Sequence, residues 1–279
     1  MIKTDLDGNE IWSKTFGGSG WDAGVAVCPA EEDIMVCGFT SSFGSGEEDV
    51  YLLRLDKNGK EKWTKTYGGN RFELGNSVFP VEGGFIIGAT TGTFGGGNSD
   101  FYLIKTDSEG KEIWSKSIGG QLNSTLPENG RTPADWCSQV RPTADGGFIL
   151  AGYSNAGDIM NALIVKTDSR GNIQWGQNIG DSPFYDYGFS VVESTDGEFV
   201  LCGTSKTVTD DNNIFLAGFG RNGDVLWKKT IGSPYGSDWA SAVLISKEGK
   251  IIITGHSYLA SMGGCDIILS MVNCKLISE

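Results

Sequence analysis

The sequence predicts an all-β chain folded as a five-bladed β-propeller of four-stranded antiparallel blades. Three observations carry that prediction. Tryptophan recurs in one position of a strand–turn–strand unit, at Trp12, Trp63, Trp114, Trp175 and Trp227, with spacings of about 51, 51, 61 and 52 residues, in the range of propeller blades. Apolar residues recur at period two and Gly or Asp breaks each run, so no amphipathic helix is expected. A second hairpin separates successive units, giving four short strands per repeat. Radial repetition of such sheets leaves few open edges.

The unit is plainest from Asp100 to Gly120. Asp100 to Thr106 is an apolar run rich in β-branched and aromatic residues, which suits a strand. Asp107-Ser108-Glu109-Gly110 is turn chemistry: an Asp that bonds its own backbone and a Gly that accepts positive φ. Lys111 to Ile118 alternates polar and apolar, and Gly119-Gly120 ends it. These are strands C and D. Strand A begins at Asp22, Glu73, Asp135, Asp186 and Asp238. Strand B is Ile34–Thr40, Phe85–Thr91, Phe148–Ser154, Phe199–Ser205 and Ile251–Ser257. The expected blades span 20–67, 71–118, 133–179, 184–231 and 236–273, in one domain over 1–279.

The last repeat lacks a D strand, and Asn9 to Phe16 is expected to supply it, so the N-terminal strand closes the last blade. Met1 to Asp5 then competes with Leu269 to Asn273 for one C slot. Fraying of a terminus is the simpler resolution; excision from a longer array is the other.

The combination of a YLIKTD strand, a turn Gly, the Trp, a Gly-Gly exit and a DGGFI strand resembles the tryptophan-containing, quinoprotein-like propeller repeats of bacterial and archaeal surface proteins. The resemblance covers nearly the whole chain. It implies a propeller and an extracellular or cell-surface setting. Quinoprotein dehydrogenases are larger, eight-bladed rings with calcium and a quinone in the axis, so five repeats argue against quinone chemistry here.

The formal charge of −13 disfavours nucleic acid and anionic membrane surfaces as partners. No apolar run reaches transmembrane length, about 18 residues. Repeat sequence follows Met1 at once, which predicts no signal peptide in this chain. Cys37 and Cys202 share a strand-B slot held elsewhere by Gly88, Ala151 and Thr254, and Cys137 shares a strand-A slot with Gly24, Gly75 and Gly188. They read as small packing residues. Cys265 and Cys274 lie too far apart along one strand for a disulfide. Mostly free thiols lean towards a reducing setting, against the habit of the resembling repeats.

In a propeller the D–A and B–C loops share one face. Here they are the long, irregular ones, including Ser41–Glu48, Thr91–Ser99 and Gln121–Thr132. Function is expected there. Asp22, Glu73, Asp135, Asp186 and Asp238 begin the innermost strands and are expected as a ring of carboxylates. They suit a calcium or magnesium ion, or each caps its own loop; repetition in every blade favours caps, and no other cofactor is expected. Trp21, Trp136, Tyr185, Tyr187 and Trp239 are the candidate ligand-binding aromatics, read against a role in packing between blades. The recurring Trp12 series is assigned to packing. His256, the one histidine, reads as a sheet position rather than a catalytic base. Asn123-Ser124-Thr125 matches a glycosylation pattern.

The reading is a non-enzymatic binding or interaction propeller taking a glycan or a protein. The alternatives are a carbohydrate-active hydrolase or lyase using axial carboxylates, and a structural module of a larger surface protein.

Overall fold

The computed structural model describes residues 1–119, 133–155, 159–180, 184–206, 211–232, 236–259 and 264–273. The chain divides into two compact units, Met1–Gly119 and Gly120–Glu279. The loop Gln121–Thr132 and its Asn123 motif lie outside the described residues.

The first unit opens with a hairpin, β1 (Ile2–Thr4) and β2 (Glu10–Ser13). Two four-stranded sheets follow: β3 (Asp22–Ala30), β4 (Asp33–Thr40), β5 (Asp49–Leu55), β6 (Glu61–Tyr67), then β7 (Glu73–Val81), β8 (Gly84–Thr91), β9 (Asp100–Asp107), β10 (Glu112–Ile118). The second unit holds β11 (Asp135–Pro142), β12 (Phe148–Ser154), β13 (Asn161–Thr167), β14 (Ile173–Ile179), then β15 (Asp186–Glu193), β16 (Phe199–Lys206), β17 (Asn212–Phe219), β18 (Val225–Ile231). A three-stranded sheet ends it: β19 (Gly236–Ile245), β20 (Lys250–Leu259), β21 (Gly264–Asn273). Each sheet is an antiparallel meander in chain order.

Local chemistry explains this order. The C strands β5, β9, β13 and β17 are buried on both faces, which is why they read as continuous apolar runs. The D strands β6 and β10 are largely exposed or half-buried, and they carry the polar alternation. Three of the four C–D turns, those after β5, β9 and β13, are made one way; after β17 Gly220 stands in the Asp position. Asp56 Oδ1 accepts from Asn58 N and Lys60 N at 2.8 and 2.9 Å, and Asp107 and Asp168 do the same two and four residues on. Gly59, Gly110 and Gly171 follow at φ 71, 73 and 75°.

The same turn corrects the expected closure. Asp5 Oδ1 accepts from Asp7 N and Asn9 N, both at 2.9 Å, and Gly8 takes φ 86°. Met1–Asp5 therefore keeps its own D strand: β2 pairs with β1, and the terminus is an ordered hairpin rather than a frayed end.

The sequence reading missed a β-bulge repeated in every A–B pair, at Gly24/Ala26, Gly75/Ser77, Cys137/Gln139, Gly188/Ser190 and Ala240/Ala242. The bulge bends the strand locally and re-aims a side chain. It also accounts for the small-residue slot. A Cβ at Gly75 would lie 2.5 Å from the Gly38 carbonyl oxygen of the neighbouring sheet, and one at Gly188 would lie 2.6 Å from that of Gly152.

Sheets pack face to face within each unit. Met35, Cys37, Val50 and Leu52 meet Val78, Ile87, Ala89 and Ile104. Ile149, Ala151 and Ile164 meet Val191, Leu201 and Ala217. Val200, Cys202 and Leu216 meet Ala240, Val243 and Ile253. Each buried aliphatic side chain contributes about 1.5–3 kcal/mol.

Candidate functional site

The loops between strands are held by a repeated clasp. The residue before strand A accepts, at its carbonyl, the N–H of the residue at the end of strand B or just after it. Ser41 donates to Trp21 (2.7 Å), Gly92 to Phe72 (2.7 Å), Asn155 to Ala134 (3.1 Å) and Lys206 to Tyr185 (2.8 Å). Between sheets, Glu73 N donates to Glu48 O (2.6 Å) and Asp186 N to Met160 O (2.9 Å).

The expected carboxylates stand at or near the heads of the A strands, and Asp22 and Glu73 bond the loops beside them. Asp22 takes the hydroxyls of Thr40 and Ser42 and the N–H of Gly18, the last two at 2.7 and 2.8 Å. Burial opposes its charge, but these donors outweigh it and hold the carboxyl below its usual range. Glu73 takes Thr91 Oγ1 and Gly69 N, both at 2.7 Å, and Thr93 N at 3.1 Å. Both are loop caps. Asp135, Asp186 and Asp238 are buried, only 1, 2 and 3% exposed. Among the described residues no group of three or more His, Cys, Asp or Glu comes together in a way that could hold a metal ion.

A second row of caps went unread. Asp49 Oδ2 accepts from Ser45 N and Gly46 N at 2.7 and 3.2 Å, and Asp100 Oδ2 from Gly97 N at 3.1 Å. Gly44 and Gly95 take φ 103 and 111° to bring those amides round. The signal was present as a repeated Phe-Gly-x-Gly ahead of an Asp. Phe43 then packs on Tyr51 and Phe94 on Tyr102, ring centroids 6.0 and 5.3 Å apart.

The five candidate aromatics separate into two kinds. Trp136, Tyr187 and Trp239 are half-buried and each follows the acid of its A strand. Each faces a strand-B partner in register: Tyr153, Thr204 and His256. The result in the second unit is a ladder of rings. Trp136 stacks on Tyr153 (6.5 Å), Tyr153 meets Tyr187 edge-on (5.0 Å), and Tyr187 lies parallel to Phe189 (6.2 Å). Trp239 stacks on His256 at 4.8 Å, so the histidine occupies the sheet position expected of it. Tyr153 and Phe189 were not singled out from sequence. Tyr153 shares the His256 slot, and Phe189 is the residue that the bulge re-aims.

Burial, with help from Tyr187, pushes the Tyr153 phenol up. Burial and then Tyr185 push Tyr187 up against the opposing charge of Lys206. Both remain neutral phenols at ordinary pH, able to stack and to hydrogen-bond. Trp21 and Tyr185 are of the other kind. They precede strand A and are exposed, at 80 and 41%.

No family model matches the chain, and no curated protein matches it. Solved structures do. An ulvan lyase of a polysaccharide lyase family, bound to -[GlcA(1-4)Rha3S]-, aligns with TM-score 0.59 and 10% identity over 93% of this chain and 72% of its own. A protein of unknown function from Dyadobacter fermentans aligns with TM-score 0.54 and 11% identity over 94% and 78%. A thermostable family-43 glycoside hydrolase aligns with TM-score 0.48 and 13% identity over 91% and 90%. At such identities the likeness is one of fold. The first two likenesses, together with the repeated four-stranded meanders, define the class: an all-β chain of the β-propeller type.

Proposed function

We propose that the chain is a five-bladed β-propeller of the quinoprotein-like repeat kind that binds glycans on its long-loop side, through Trp136, Tyr187 and Trp239. The observation that carries this reading is the ladder from Trp136 through Tyr153 and Tyr187 to Phe189. Half-buried rings locked against one another offer apolar faces at little entropic cost, and their neutral phenols supply polar edges. The fold likeness to a lyase solved with a bound glycan supports a carbohydrate partner. Asp22 and Glu73 spend their oxygens on their own loops, which favours binding over turnover.

The same likeness favours a second reading, a carbohydrate-active lyase or hydrolase, in which two A-strand acids divide acid and base roles. A glycan array with calcium present, followed by mass spectrometry of the bound sugars, separates the two. Binding without cleavage, weakened about tenfold by Tyr187→Ala, supports the first. Cleavage that is lost in Asp135→Asn or Asp186→Asn, with folding intact, supports the second. An array blank for every glycan sinks both.

A further inference from the structure

The position before strand A holds an aromatic residue in three sheets: Trp21, Phe72 and Tyr185. Two of these rings carry a cation from their own chain. The guanidinium of Arg71 lies over Phe72 at 5.7 Å, and Nζ of Lys206 lies over Tyr185 at 5.9 Å. The clasp fixes which positions correspond. Arg71 immediately precedes Phe72, as Gly20 precedes Trp21. Lys206 donates its N–H to the Tyr185 carbonyl, as Ser41 does to that of Trp21. Both positions that supply the cation elsewhere are uncharged beside Trp21. Its ring is 80% exposed, and indole is the best of the aromatic cation acceptors.

We propose that Trp21 is the docking point for an arginine or lysine side chain on a peptide segment of a protein partner. This inference is independent of the glycan reading, which concerns the second unit. Trp21 is presented on a fixed base. Its backbone N–H donates to Ser41 Oγ at 2.7 Å, Gly20 N donates to Ser42 Oγ at 2.8 Å, and Asp22 ties Ser42 and Gly18 below. A backbone held this way loses little freedom on binding. Phe43, 48% exposed, packs against the loop that leads to Trp21: a Cβ at Gly18, three residues before it, would lie 3.1 Å from the Phe43 ring. A cation on one ring is a small gain by itself. A peptide adds apolar neighbours for Phe43, whereas a free cation does not. The formal charge of −13 draws basic partners in and turns acidic ones away.

The test uses the full chain and fluorescein-labelled peptides in which arginine, lysine or glutamate alternates with leucine, read by anisotropy at about 150 mM salt. The arginine and lysine peptides bind and the glutamate peptide does not. Trp21→Ala, which leaves the charge unchanged, weakens binding about tenfold, and Trp21→Phe about threefold. Ser41→Lys restores a cation from the chain's own side and weakens binding as Trp21→Ala does. Glu32→Gln makes the same change of charge at the far A–B turn and alters binding less than about twofold. Failure of the wild type to bind the basic peptides overturns the proposal. So does unchanged affinity in Trp21→Ala, or equal effects of Ser41→Lys and Glu32→Gln. Trp21-dependent binding of chitosan oligomers, without binding of the basic peptides, overturns the choice of a peptide. Circular dichroism checks that each variant keeps its β signal, as substitutions at exposed positions are expected to.

Discussion

The indole of Trp63 lies against Gly110, the turn glycine of the next sheet, so closely that a Cβ on Gly110 would fall 2.7 Å from the ring. Trp12 meets Gly59 and Trp175 meets Gly223 in the same way, at 2.9 and 2.7 Å. The repeated Trp and the repeated turn Gly are thus two halves of one joint between sheets. Gly110 also sits at φ 73°, so Gly110→Ala meets backbone strain and a clash together. It should cost about 2–4 kcal/mol of unfolding free energy. Gly146 has φ 82° and nothing within 4 Å of its missing Cβ, so Gly146→Ala should cost only about 1 kcal/mol. Urea unfolding of the two variants checks the difference; equal losses would remove the joint from the explanation.

The joints differ in one hydrogen bond. Trp175 Nε1 donates to Arg221 O at 2.9 Å. The corresponding acceptor for Trp63 is Ser108 O, which instead takes Arg54 Nη1 at 2.8 Å, and the Trp63 N–H is buried without a partner. Trp175→Phe should therefore destabilise more than Trp63→Phe, by about 0.5–1.5 kcal/mol. Thermal or urea unfolding measures it, and the opposite ranking would contradict the bond assignment.

Strands, turns and the small-residue slot were legible because they rest on local chemistry. An Asp that folds onto its own backbone and a Gly at positive φ announce themselves in any repeat. The joint was half legible. Trp63 could be assigned to packing, but its partner Gly110 looked like a turn residue only, since sequence does not say which surface a turn faces. The pairing of β2 went wrong for a related reason. Counting slots favoured completing the last blade, whereas Asp5 and Gly8 made the nearer hairpin, and loop closure favours the nearer partner. At the candidate site, Trp136, Tyr187 and Trp239 were visible as aromatics beside acids. Tyr153 needed the strand register, and Phe189 needed the bulge. The acids themselves were read correctly as caps at Asp22 and Glu73, because a cap repeats with the fold.

Asp145 gives the chain a pH response of known sign. Burial raises its carboxyl, but Lys166 Nζ at 2.8 Å, the Thr143 hydroxyl and Gly147 N more than offset this and bring it down to about 2. A depressed folded value means stability that is present above the unfolded value of about 3.9 and lost as pH falls through the folded one. The Asp145 side chain is 53% exposed, so solvent screening limits the contribution to about 1 kcal/mol or less. Asp145→Asn should be less stable than wild type at neutral pH. The gap should close between about pH 4 and pH 2. Urea midpoints measured across that window test it; a gap that persists at the acid end would mean the loss is not electrostatic.

Burial also sets the reactivity of the thiols. Cys28, Cys37, Cys137 and Cys202 are free and buried, and Cys265 is free and exposed. Burial pushes the Cys28 thiol up to about 11 and those of Cys37, Cys137 and Cys202 up to about 12. The thiolate is the reactive form, so these four are doubly protected, by charge state and by access. In a Cys274→Ser background, Ellman's reagent at neutral pH should titrate Cys265 at once. The four buried thiols should follow only as urea unfolds the sheets. Cys37 is the most informative of them, since it packs in the joint that contains Val50, Leu52 and Ala89. Its release should track loss of that joint and come earlier in urea for Gly110→Ala than for Gly146→Ala. Rapid reaction of Cys37 in the native chain would show that this sheet pair opens without global unfolding.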